Sequence, residues 1–258
     1  TPELVAITPH EGNVEYSAMG FTPDNQTFIY STNEYGEFSQ AWTLSLETGE
    51  RAPLITDDWD VMYVGYSPSG RYQVSGVNND ASTDVSLIDL QTGEAVVLNN
   101  VPAGDLAQVR FNRDETAIAF GLNRDTAPYD LYYMPLGGEA SRLTTALNPA
   151  INSDFMVEGE VVRFESYDGL QVPGILYQPR EASAENPAPA LVWVHGGPGG
   201  QSRKGYSAMI QHLVNHGYAV YQINNRGSSG YGKTFYHLDD LKHGEADLGD
   251  VVASRDFL

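Results

Sequence analysis

Three stretches of the chain repeat one pattern of apolar and polar positions. Phe21 to Tyr30, Tyr66 to Ser75 and Phe111 to Phe120 each read as an aromatic residue, a polar turn and an alternating strand, and their leading aromatics are 45 residues apart. A second hairpin follows in each copy, at Trp42 to Glu50, Val85 to Glu94 and Leu131 to Glu139, with turn glycines at Gly49, Gly93 and Gly138. Period-2 alternation bounded by Gly, Asn and Asp marks strands, because successive side chains of a strand point to opposite faces. Four short strands every ~45 residues are the signature of a β-propeller blade. The spacing predicts about three four-stranded blades from Val14 to Thr145. Leu4 to Thr8 is expected to be the closing strand of a preceding blade, because Ile7-Thr8 matches Ile55-Thr56 and Leu143-Thr144. Propellers close with about 4 to 8 blades, so a partial β-propeller is expected, with upstream sequence missing.

The pattern changes after residue 150. Gly159 to Ser166 and Leu170 to Gln178 alternate around Tyr167-Asp168-Gly169, a hairpin signal. Ala190 to Val194 is a continuous apolar run, as expected of a parallel strand covered on both faces. It leads into His195-Gly196-Gly197-Pro198-Gly199-Gly200. A helix is predicted from Arg203 to Asn215, ended by His216-Gly217, then a strand over Tyr218 to Ile223. A last helix is predicted from near Glu245. Residues 1–150 are therefore read as the C-terminal blades of a propeller, and 151–258 as the beginning of an α/β domain.

Charge divides the chain at nearly the same place. The 258 residues carry 34 acidic against 14 Lys and Arg, a formal net charge of -20. Residues 1–180 hold 26 acids against 8 bases, all Arg, whereas 181–258 hold 8 acids against 6 bases. Such a molecule repels nucleic acid and anionic membrane surfaces, and neither is an expected partner. The acidic half is read as a solvated surface suited to solubility. Asp57, Asp58 and Asp60 lack the spacing of a calcium loop and are read as a plain loop. No apolar run reaches the ~18 residues of a membrane helix. There is no cysteine. This excludes disulfides, thiolate metal sites and a cysteine nucleophile, and leaves the compartment open between cytoplasm and periplasm or secretion.

A strand running into a glycine-rich loop and then a helix has several chemical uses. Gly200-Gln201-Ser202 is not the Gly-Lys-Ser/Thr ending of a phosphate-binding loop. Gly227 to Gly232 is too loose for a dinucleotide fingerprint, and no helix is expected directly after it. No cofactor is expected. The remaining use is the loop after the third strand of an α/β-hydrolase, where His-Gly-Gly-type sequences aim backbone N–H groups at an oxyanion. A tight turn without chemistry is the alternative. His212 and His216 lie four apart on the predicted helix but lack the intervening Glu of a zinc motif, so they are read as decorating a helix end and no metal is expected. Asp247 and Asp250 are read as ordinary charge near a helix N-terminus.

Val161 to Gly169, Val194-His195-Gly196-Gly197-Pro198 and Asn225-Arg226-Gly227-Ser228-Ser229-Gly230-Tyr231-Gly232 together resemble the opening of the catalytic domain in the prolyl oligopeptidase family of serine peptidases, most of all its acylaminoacyl-peptidase-like branch. The resemblance implies a propeller that restricts access to an α/β-hydrolase, and short peptides or acyl-peptides as substrates. It implies that Gly197 donates its N–H to the oxyanion while His195 and Gly196 shape the loop. Some branches place a Tyr hydroxyl where His195 stands; its absence here favours backbone donation. It also implies a structural hydrogen-bonding role for Arg226. The chain departs from the pattern in lacking Gly-x-Ser-x-Gly: Gly205 to Met209 and Gly65 to Ser69 both fail at the last position. The Ser, Asp and His of the triad are expected after Leu258, the remainder of the parent chain being a required partner. The parent is expected to be a serine peptidase and this chain alone inactive. A propeller interaction module with a vestigial hydrolase segment, and an esterase of the same fold, are the other readings. Open blade faces make pairing with another chain or an oligomer an expected behaviour.

Overall fold

A computed structural model describes residues 4–258. Its first half is three consecutive four-stranded antiparallel sheets, each a meander in chain order. The first contains β1 (Tyr16–Phe21), β2 (Thr27–Thr32), β3 (Gln40–Ser45) and β4 (Arg51–Ile55). The second contains β5 (Asp60–Tyr66), β6 (Tyr72–Asn79), β7 (Ser82–Asp89) and β8 (Glu94–Ala95); the third contains β9 (Asp105–Phe111), β10 (Ala117–Arg124), β11 (Ala127–Pro135) and β12 (Ser141–Arg142). Phe21, Tyr66 and Phe111, which mark the repeat, each end the first strand of their sheet. Each sheet also has one register shift between its first and second strands. Such bulges increase local twist, and their recurrence is a repeated feature that hydrophobic alternation does not reveal.

Stacking of the sheets follows from the alternation. Ile29 and Ala41 of the first sheet share a buried cluster with Val61 and Val64 of the second. Val74 and Leu87 of the second share another with Leu106, Ile118, Phe120 and Met134 of the third. Full burial of one such side chain stabilises by about 1.5–3 kcal/mol, so each sheet depends on its neighbour for its apolar face. Two expectations need correction here. Leu4 to Thr8 is not a strand: Leu4 is fully exposed and the segment has no ladder partner among the described residues, its Ile7 carbonyl instead accepting from Arg51 Nη2 at 2.5 Å. In the third repeat the left-handed turn residue is Gly137, at φ 80°, rather than Gly138.

Residues 160–258 build a mixed sheet with helices on both faces. Its strands β13 (Glu160–Glu165), β14 (Gln171–Tyr177), β15 (Ala190–Val194) and β16 (Ala219–Ile223) lie in the order β13-β14-β16-β15, with only β15 and β16 parallel. Parallel strands need a crossover, supplied by α1 (Ala208–Asn215). Ile210 and Val214 of α1 pack on Ile175, Tyr177 and Val220; on the opposite face Val251 of α3 (Ala246–Phe257) packs with Phe164, Val172, Tyr221 and Ile223. α2 (Lys233–Tyr236) is a single turn.

β15 departs from expectation. Among the described residues it is the edge strand of this sheet, paired only to β16, with Trp193 and Val194 more than 40% exposed rather than covered on both faces. α1 is also shorter than predicted, because residues 203–205 are engaged by the antiparallel sheets: Lys204 N–H donates to Ala81 O at 3.0 Å and Gly205 N–H to Asp125 Oδ1 at 2.8 Å. Asp125, in the β10–β11 turn, is the hub of that seam. Its carboxylate also accepts from Tyr177 Oη at 2.8 Å and Gly159 N–H at 3.0 Å, and Lys204 Nζ stands 3.6 Å away. Burial, with this carboxylate adding to it, drives the Tyr177 phenol far above its ordinary range. Hydrogen bonds to a charged group contribute about 1.5–3 kcal/mol, and buried donors left unpaired are penalised. Asp125→Ala is therefore expected to lower unfolding stability by about 2–3 kcal/mol, measured as a shifted urea midpoint at unchanged slope.

Candidate active-site loop

The loop 195–200 leaves the C-terminal end of β15 and folds beside the loop after β16. In a sheet containing parallel strands this end, where the chain turns toward a helix, is where ligands bind. His195 Nε2 lies 2.9 Å from Ser228 Oγ, and Ser228 Oγ lies 2.6 Å from the Asn225 carbonyl. The serine has one proton. When it goes to Asn225 O, His195 Nε2 must carry a hydrogen to donate. Ser229 N–H donates to Gly200 O at 3.0 Å, and the buried Asn224 both accepts from Ser202 N–H at 2.6 Å and donates to Ser202 O at 3.0 Å. Asn224 Nδ2 also reaches Tyr231 Oη at 2.9 Å, and burial pushes that phenol up to about 12. The two loops are thus cross-braced through side chains up to 33 positions apart.

Between these braces the backbone of Gly196 and Gly197 is exposed, and among the described residues nothing accepts either N–H. Gly197 sits at φ 142°, and a Cβ there would lie 2.6 Å from Gly200 N and 2.8 Å from Gly199 N. Only glycine fits, which is the physical reason for its residue type. A cavity of about 160 Å³ separates Gly199 and Ser229 from Asn33, Glu37 and Asp60 of the antiparallel sheets. Glu37 closes one side, accepting from Thr234 N–H at 2.9 Å and Thr234 Oγ1 at 3.0 Å; these bonds hold its carboxyl below the usual range. Asp60 belongs to β5 rather than to a loop, and burial raises its carboxyl although it accepts from Ser39 N–H at 2.7 Å. The short helix α2 follows Gly232 directly, contrary to expectation. Its first N–H groups go to Glu37, so no free helix N-terminus is left for a phosphate.

Arg226 has a structural place. Its guanidinium donates to Asp250 through Nε (3.0 Å) and Nη2 (2.8 Å), and to Asp168 through Nη1 (2.8 Å) and Nη2 (2.9 Å), and it lies 4.7 Å over the ring of Tyr167. These bonds raise the guanidinium and hold the Asp168 carboxyl below its ordinary range. Asp250 is fully buried, also accepting from Ser166 Oγ at 2.6 Å, so it is an ion-pair partner rather than simple helix-terminal charge. Asp247 does act at the helix start, accepting from Gly244 N–H at 2.6 Å. His216 caps α1, its ring 4.1 Å from that of His212. Sequence reasoning missed Ser228, Asn224 and Asp125. Their partners are distant in the chain, and no periodic signal links them.

The family model of the prolyl oligopeptidase family matches residues 204–258. The uncharacterized peptidase YuxL of Bacillus subtilis is 27% identical over 232 residues, 84% of this chain and 35% of that protein. Dipeptidyl aminopeptidase BIII of Pseudoxanthomonas mexicana is 27% identical over 248 residues, 88% of this chain and 34% of that protein. Through these matches the chain is similar to peptidases of the prolyl oligopeptidase family. It spans about a third of the length of these relatives. A puromycin-hydrolyzing peptidase of Mycobacterium tuberculosis has the same fold over 95% of this chain and 38% of its own, with a TM-score of 0.80 at 18% identity. Among the described residues no helix is long and apolar enough to cross a membrane.

Proposed function

We propose that this chain is part of a serine peptidase of the acylaminoacyl-peptidase-like branch, acting on short peptides or acyl-peptides through an acyl-enzyme. In this reading residues 1–150 are the later blades of a propeller that restricts access, and residues 151–258 begin the α/β-hydrolase domain. Gly197 donates its N–H to the oxyanion, together with the N–H that follows a nucleophilic serine located after Leu258; His195 and Gly196 shape the loop. The observation that carries the reading is the pair of uncommitted N–H groups at Gly196 and Gly197, on a loop locked through His195 and Ser228. Donors fixed in advance toward developing negative charge are what acyl transfer requires, because they need no reorganisation when the tetrahedral intermediate forms. The peptidase names of the relatives favour peptides over esters as substrates.

A fluorophosphonate probe tests the assignment, since it reports an activated serine. The 258 residues alone are expected to take up no label, and the longer protein in which they continue into a Gly-x-Ser-x-Gly segment one equivalent per chain. Stoichiometric labelling of the 258 residues alone, or none of the longer protein, would overturn the reading.

A further inference from the structure

Asp239, His243 and Asp247 lie apart from the 195–200 loop, on the segment leading into α3. One ligand atom from each falls within 4.8 Å of the other two. His243 Nδ1 is 2.6 Å from Asp247 Oδ2 and 3.6 Å from Asp239 Oδ2. Bound zinc, with metal–ligand bonds of about 2.0–2.2 Å, holds its ligand atoms about 3–3.5 Å apart, so small rotamer adjustments suffice.

The decisive group is Asp239. Its side chain is only 8% exposed, and among the described residues no N–H or O–H donates to its carboxylate; His243 Nδ1 stands 3.6 Å away, beyond hydrogen-bond distance. A carboxylate so confined, with little access to water and no protein donor, gains from a bound cation. It is also held in place from behind, because Gly227 packs against it so closely that a Cβ there would collide with the carboxylate. The exposed His243 ring leaves a path from solvent.

We propose that Asp239, His243 and Asp247 form a structural site for a divalent transition cation, Zn²⁺ by the mixture of one imidazole and two carboxylates, with water completing the coordination. The cation fastens the 239–247 segment to the start of α3 and, through the contact of Asp239 with Gly227, to the loop that carries Arg226 and Ser228. Its role is bracing.

The test is calorimetric titration of the metal-stripped full-length protein with zinc chloride, with dialysis and elemental analysis for stoichiometry. One equivalent is expected to bind with micromolar or tighter affinity, falling at least tenfold in Asp239→Asn and in His243→Gln, and to raise Tm in the parent protein only. His243 is exposed, so its replacement leaves the core intact and keeps the test readable if Asp239→Asn folds poorly. The exposed His212/His216 pair is the competing site, and His212→Gln/His216→Gln is expected to retain the equivalent. The proposal is overturned by absence of saturable binding, by binding unchanged in His243→Gln, or by loss of the equivalent only in the His212/His216 variant.

Discussion

Arg226→Met is expected to destabilise the protein by about 3–5 kcal/mol, the largest loss for any single substitution outside the apolar clusters. Methionine roughly preserves the length of the stem but leaves Asp250 as a fully buried carboxylate, with only Ser166 Oγ and the Arg226 backbone N–H still donating to it. Breaking one side of a buried pair costs more than the pair contributes, because the remaining charge stays desolvated. The double variant Arg226→Met/Asp250→Leu should therefore recover much of the loss, and Arg226→Lys should not, since an ammonium cannot make the forked bonds to both carboxylates. Urea unfolding followed by tryptophan fluorescence measures all three. A loss under 1 kcal/mol for Arg226→Met would show that the cluster is not the clamp described. The acid limb adds a second readout. Asp168 has its carboxyl depressed below 3.8 by hydrogen bonds from Arg226, so it contributes stability above that pH, lost as pH falls through the folded value. That part of the acid sensitivity should disappear in Arg226→Met.

The clamp shows where sequence reading reaches its limit. The hairpin at Tyr167 to Gly169, the helix beginning near Glu245 and the loop containing Arg226 are each visible locally, through turn chemistry and apolar spacing. That Asp168, Asp250 and Arg226 meet is a consequence of tertiary packing and has no local signature. The same holds for Asp125, an unremarkable turn residue by sequence that accepts hydrogen bonds from residues 34 to 80 positions away. The antiparallel sheets were more legible, because alternation, turn glycines and a fixed period all report one geometry. β15 misled because a continuous apolar run signals a strand that needs covering, and it does not say which residues cover it.

On the proposed reading, Gly197→Val in the full-length protein is expected to reduce kcat by about 10²–10³-fold while KM changes by less than about threefold. The reason is geometric. At φ 142° a branched side chain is strained, and its Cβ would press on the N–H groups of Gly199 and Gly200, so the Gly197 amide must move away from its present direction. An oxyanion donor acts on charge that exists only in the transition state, so its displacement removes rate rather than substrate binding. A purely structural glycine would behave differently: loosening the loop would raise KM and lower Tm together. The loop has braces independent of Gly197, in His195 with Ser228 and Asn224 with Ser202, so Tm is expected to change by only a few degrees. Steady-state kinetics on an acyl-peptide substrate, with thermal unfolding of the same preparation, separates the two cases. An unchanged kcat would remove Gly197 from the oxyanion hole and return the 195–200 loop to the role of a turn between β15 and α1.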